Sequence, residues 1–139
     1  MPNMAGYRRQ HAEIGEVLGA ISGKLDPARL SDGEALAICA DIGKLVGMLS
    51  VHLESEDESL YPELRASSSV AASQAAERFQ SEMDGLKAEV EMFFLKWGSP
   101  DAVSGDPGGF VDESRSFCES LTERIEREDA ELYALAEQL

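Results

Sequence analysis

The sequence predicts an all-α fold: an antiparallel, up-down-up-down bundle of four helices forming a single domain over residues 1–139. Three observations predict it. Apolar residues recur at three- and four-residue spacing through four long segments. Clusters of Pro, Gly and Ser separate those segments. Each segment is too long and too poor in β-branched residues to be a strand. With 43% hydrophobic residues in 139, the chain can bury a core and is too apolar for disorder.

The first segment runs from about Asn3 to Leu25, with Met4, Tyr7, His11, Ile14, Leu18, Ile21 and Leu25 on one face, and stops at Asp26-Pro27. The second opens at Ser31-Asp32-Gly33-Glu34, a Ser-x-x-Glu capping box, and runs to about Leu64. Its seam is Ile38, Ile42, Leu45, Leu49, His52, Glu56, Leu60 and Leu64, with Pro62 in the last turn. After a Ser67–Ser69 joint, the third carries Ala76, Phe79, Met83, Leu86, Val90, Phe93 and Trp97. Gly98–Gly109 reads as the longest loop. The fourth segment carries Phe110, Ser114, Phe117, Leu121, Arg124, Glu128, Leu132 and Leu135. The expected helices are therefore about 3–25, 32–65, 69–97 and 109–137.

A formal charge of −15 argues against nucleic acid and anionic membranes as partners. The longest uncharged apolar run, Leu45–Val51, is far short of the roughly 18 residues of a membrane span. Arg8 and Arg9 are followed by no apolar stretch, so a secretory signal is not expected. Cys39 and Cys118 stand far apart and read as buried thiols, which makes a reducing cytoplasm the expected location.

One band breaks the apolar seams. His11, His52, Glu56, Arg124 and Glu128 stand where the pattern requires apolar residues. Charged groups are rarely buried without a partner or a metal. His52, Met83 and Arg124 each lie 14 or 15 residues from their shared joints, so they fall at one level. The first pair is offset: His11 is 14 residues from its helix end and His52 about 20 from its helix start, a difference of about 9 Å. Either an overhanging first turn or a bend near Gly43 and Gly47 absorbs it. HLESEDESLY at His52–Tyr61 also matches RIEREDAELY at Arg124–Tyr133, at an offset of 72 residues. The chain thus reads as two pseudo-symmetric hairpins.

His52 and Glu56 are four apart and share a helical face. With His11 and Glu128 or Asp129 they can surround one cation. Imidazole with carboxylate suits Fe, Mn or Zn better than Mg or Ca. The competing reading is a metal-free ionic core in which Arg124 forks onto Glu56 and Glu128. Tyr61 and Tyr133 flank the two motifs as packing residues or hydrogen-bond donors behind the site. Met83 reads as core. The Glu-x-x-His pattern of ferritin-like di-iron sites is absent, since Arg8 and Leu49 precede the histidines by three; HExxH, P-loop and GxGxxG motifs are absent too.

At these residues the chain resembles the hemerythrin family, the HHE cation-binding domain. The resemblance rests on the His of helix one, HLESEDESLYPEL in helix two and REDAELYALAE in helix four. It implies a bundle built around non-haem iron, used to bind oxygen or to sense oxygen, nitric oxide or iron. His11, His52 and Glu56 match ligands of that family, as does Asp129, with Glu128 one position earlier as the alternative. The helix-three histidines are missing; Phe79 and Met83, or Arg78 and Glu82, stand there, and Arg124 replaces the helix-four His. Glu82 is the only helix-three residue placed to rescue a second site. The matches surround one metal position, so the resemblance implies a mononuclear iron (or Zn or Mn) rather than a di-iron pair. A module for sensing or storage is expected, with a metal ion and a small diatomic ligand as partners; an enzyme, for example a peroxide-consuming iron site, comes third. The alternative is a metal-free descendant acting through protein–protein contacts.

Overall fold

The computed structural model describes residues 3–30 and 33–139 and contains no strand among them. Helix α1 is Met4–Ser22 and a single turn, α2, is Pro27–Leu30. Helix α3, Glu34–Ser55, runs through a π-helical turn at Glu56–Leu60 into α4, Tyr61–Ala66. Helix α5 is Val70–Trp97 and α6 is Pro100–Gly105. Helix α7, Pro107–Arg127, runs through a second π-helical turn at Glu128–Leu132 into α8, Tyr133–Glu137.

Cross-pairings give the topology. Tyr7 bonds Ser55, His11 meets His52, and Lys24 pairs with Asp41, so α1 and α3 are antiparallel. Asp57 with Lys87 and Cys39 with Trp97 set α3 against α5 in the same sense. Lys96 with Glu113 and Glu82 with Arg124 do so for α5 and α7. Arg8 with Glu137 closes α1 onto α8. This is the expected bundle.

The termini are locally encoded. Asn3, Ser69, Ser99 and Asp106 each accept a hydrogen bond from the backbone N–H three residues on, satisfying a donor that the first helical turn leaves open. The capping box expected at Ser31 lies outside the described residues. At the described start of α3, Gly33 has φ +93°, a left-handed conformation that favours glycine. Two expectations are corrected here. The segment read as a loop before Gly109 contains α6, which buries Val103 completely, and α7 starts two residues early because Asp106 caps it. Helix α1 ends at Ser22 rather than near Leu25.

The offset between His11 and His52 is resolved by overhang. The Lys24–Asp41 pair sets the end of α1 level with the second turn of α3. Ala35 and Ile38, on the protruding part of α3, are still buried, since α2 and α6 pack around it. The rod Glu34–Ala66 does contain a window of mean hydropathy 1.6, long and apolar enough by composition to cross a membrane. The uninterrupted run Leu45–Val51 underestimated it. Ile38, Ile42 and Leu45 of that rod are wholly buried against the other helices, while 39% of the apolar window is buried.

Two apolar clusters fill the bundle. One, toward the α2 and α6 end, includes Ile14, Leu45, Trp97, Phe110 and a stacked Phe93–Phe117 pair at 4.1 Å. The other holds Tyr61, Phe79, Met83 and Tyr133. Between them lies the polar band.

Candidate metal centre

His11, His52, Glu56, Glu128 and Arg124 are 4, 2, 0, 1 and 7% exposed, so the band is a sealed layer. The rings of His11 and His52 lie 4.6 Å apart. Their Nε2 atoms are 3.0 Å from each other. Glu128 Oε1 is 2.8 Å from the His11 nitrogen and 3.4 Å from that of His52. Glu56 Oε2 is 3.5 Å from His52 Nε2. One ligand atom from each of these four residues lies within 4.8 Å of all the others.

The two π-helical turns make this convergence possible. In each, the backbone N–H of the residue five along closes onto the glutamate carbonyl: Tyr61 onto Glu56 and Tyr133 onto Glu128. The wider turn brings residue i+5 over residue i, where an α-helix would bring i+4. Glutamate and tyrosine therefore face inward together, and all four side chains are buried. Such turns are frequent at functional sites. They were not legible in the apolar spacing, although the repeated Glu-Asp and Leu-Tyr pairs mark both.

The outer nitrogens orient the imidazoles. His11 Nδ1 is 2.8 Å from Asp129 Oδ1, and His52 Nδ1 is 2.7 Å from Gln10 Oε1. Asp129 is an acceptor, and Gln10 presents its oxygen, so each Nδ1 donates; each Nε2 then offers an inward lone pair when its ring is neutral, or donates to Glu128 when the ring is protonated. Second partners of this kind fix the metal-binding tautomer of histidine. Asp129 therefore stands outside the cluster, and Glu128 supplies the carboxylate inside it. Arg8 in turn pairs with Asp129 at 3.5 Å and with Glu137 at 2.7 Å. Gln10 was missed in the sequence because its partner lies 42 residues away and no spacing marks it.

Arg124 does not fork onto Glu56 and Glu128 as the ionic-core reading expected. Its Nε donates to Glu128 Oε2 at 3.0 Å, and its other nitrogens donate to Glu82, Tyr61 and the Phe79 carbonyl. The guanidinium also lies over the Phe79 ring at 4.7 Å. Glu82 is half-exposed and shared with Arg127. Glu56 instead accepts from Tyr133 at 3.0 Å, and its Oε1 has no hydrogen-bond partner. Met83 is buried in the apolar cluster beside the layer.

The electrostatics follow. Burial would lower the pKa of His52, but hydrogen bonds with Glu128 and Glu56 outweigh it and hold the ring near 9. Burial and the neighbouring Glu128 push Glu56 up to about 7. Burial also acts to raise Glu128, yet its bonds with His11 and His52 keep it well below the carboxylate range. Two buried carboxylates thus face one buried Arg, and the second positive charge of the layer is one that His52 can take up as a proton or exchange for a metal ion. Two inward imidazole lone pairs, two carboxylates and an orphaned Oε1 fit a divalent first-row metal ion.

No curated protein and no solved structure gave a match in the respective searches. A family profile does match, over residues 4–136, and it describes the hemerythrin HHE cation binding domain. With the bundle and a buried His/Glu layer already in place, that match settles the relationship: the chain belongs to the hemerythrin family.

Proposed function

We propose that this protein binds one metal ion per chain, a non-haem iron (Zn or Mn fitting the same donors), and serves in sensing or storage rather than turnover. His11, His52, Glu56 and Glu128 are the ligands in this reading, and Asp129 and Gln10 orient the two imidazoles from behind. Bound iron supplies a redox-active Lewis acid. One observation carries the proposal. Two imidazole nitrogens face each other at 3.0 Å, with both outer nitrogens already committed to acceptors. Two such nitrogens at that distance need either a shared proton or a metal ion between them, and the two buried carboxylates with the unpartnered Glu56 Oε1 favour the metal.

Arg124 supports the limit of one. It stands beside Glu128 where a second ion would need a ligand, and a guanidinium offers no lone pair. Its charge would also repel a second cation by several kcal/mol at short range, on the order of 4 kcal/mol at 4 Å near a protein surface. The same fully bonded Arg124 favours a second reading, a metal-free interaction module whose remaining charge is a proton on His52.

Metal analysis of tag-free protein, with anaerobic titration by ferrous iron, tests the choice. The expected result is one equivalent in the wild type and none in His52→Ala. Two equivalents at full occupancy, or none under any loading, would overturn the proposal.

A further inference from the structure

Tyr133 stands at the centre of the layer. Its hydroxyl is 3.0 Å from Glu56 Oε2, 3.1 Å from His11 Nε2, 3.2 Å from His52 Nε2 and 3.3 Å from Glu128 Oε1. A phenol has one hydrogen to donate, so it can donate to only one of the two carboxylates it touches. An orienting residue behind a ligand touches that ligand's outer atom, as Asp129 and Gln10 do. Tyr133 touches every inner atom instead. Its distances match the short ones among the four groups themselves: 2.8 Å for His11–Glu128, 3.0 Å for His11–His52, 3.4 Å for His52–Glu128 and 3.5 Å for His52–Glu56, the four lying within 4.8 Å of one another. Ligand atoms about 2.1 Å from a shared metal stand about 3.0 Å apart at right angles and about 3.4 Å apart in a tetrahedron. Eight pairs among these five atoms fall between 2.8 and 3.5 Å.

We propose that the Tyr133 phenol oxygen is a fifth ligand to the metal, making the site a phenolate centre when loaded with ferric iron. This rests on the metal-binding reading above. On binding, the phenol O–H bond breaks, the oxygen–iron bond forms, and the proton leaves to buffer; no electron is transferred. The repeat supplies an internal control. Tyr61, at the equivalent place, accepts a hydrogen bond from Arg124 at 3.1 Å and has no contact with the histidines among its hydrogen bonds.

Loading the full chain with ferric nitrilotriacetate, then measuring iron content and the visible spectrum, decides it. The expected result is bound iron with an intense phenolate-to-iron charge-transfer band. Tyr133→Phe should keep its fold by circular dichroism and retain iron but lose the band, while Tyr61→Phe should keep both. Iron bound without such a band, or a band that survives Tyr133→Phe, overturns the phenolate ligand and leaves the metal site standing. Absence of bound iron in the wild type, with absence of ferrous uptake, overturns both.

Discussion

Glu56 and Glu128 occupy equivalent places in HLESEDESLY and RIEREDAELY, and each opens a π-helical turn. Four residues earlier, one chain stretch has His52 and the other Arg124. On the Arg124 side the counter-charge is permanent: the guanidinium bonds Glu128, Glu82, Tyr61 and the Phe79 carbonyl, and nothing further is needed. On the His52 side the counter-charge is exchangeable, since an imidazole accepts either a proton or a metal. The tyrosines cross over, Tyr61 serving Arg124 and Tyr133 serving the histidines. One backbone device thus yields a fixed charge in one half and a replaceable one in the other.

The comparison breaks most visibly at Arg124. Replacing it with Ala leaves Glu128 without its fixed partner in a buried layer, and should cost about 3–5 kcal/mol in urea unfolding of the metal-free protein. A loss below about 1 kcal/mol would mean that the permanent half is not load-sharing in the way its contacts indicate.

The exchangeable half is read by pH. His52 has a folded value of about 9 against an ordinary 6.5, and Glu56 about 7 against 4.5. Both are raised, so their protonated forms are favoured by folding; that stability is complete below the ordinary values and lost as pH rises through the folded ones. The metal-free protein should therefore weaken between about pH 4.5 and 9, the His52 part amounting to roughly 3 kcal/mol. Unfolding at a series of pH values checks this, and bound metal should abolish the slope because it replaces the proton on His52. A slope of the opposite sign would contradict the exchangeable charge.

The smallest effect is expected behind the site. Asp129→Ala removes the acceptor that fixes His11 and should weaken metal binding by about 10–100-fold with little change in fold. Gln10→Ala should do the same to His52. Equilibrium titration distinguishes these from Arg8→Ala, which touches Asp129 through an exposed ion pair worth about 0–1 kcal/mol.

The bundle was legible because its signals are local: spacing, punctuation and the broken seam all act over a few residues. His11, His52, Glu56 and Glu128 announced themselves as polar residues at buried positions. The choice of Glu128 over Asp129 did not, because both are acidic neighbours and only the helix phase after the π-helical turn separates them. Tyr133 was visible as a repeat residue, but its central place depends on the same turn. Gln10 depended on a contact with α3 that no sequence spacing encodes. The extent of the second rod was legible, about 32–65 against Glu34–Ala66, but counting uninterrupted residues concealed its overall hydropathy.

Each π-helical turn has a mechanical meaning as well. It stores one residue more than an α-helix would place there, and an α-helix advances about 100° per residue. If Glu128 were released from His11, the surplus residue could be passed along, and the segment beyond it would change phase. That segment is α8, whose Tyr133 and Ala136 are buried and whose Glu137 is tied to Arg8. An occupant that holds Glu128 in place is then expected to hold the rotational register of α8 as well. Amide hydrogen exchange across residues 128–137, with and without metal, reads that register directly; equal protection in both states would show that the stored residue stays put.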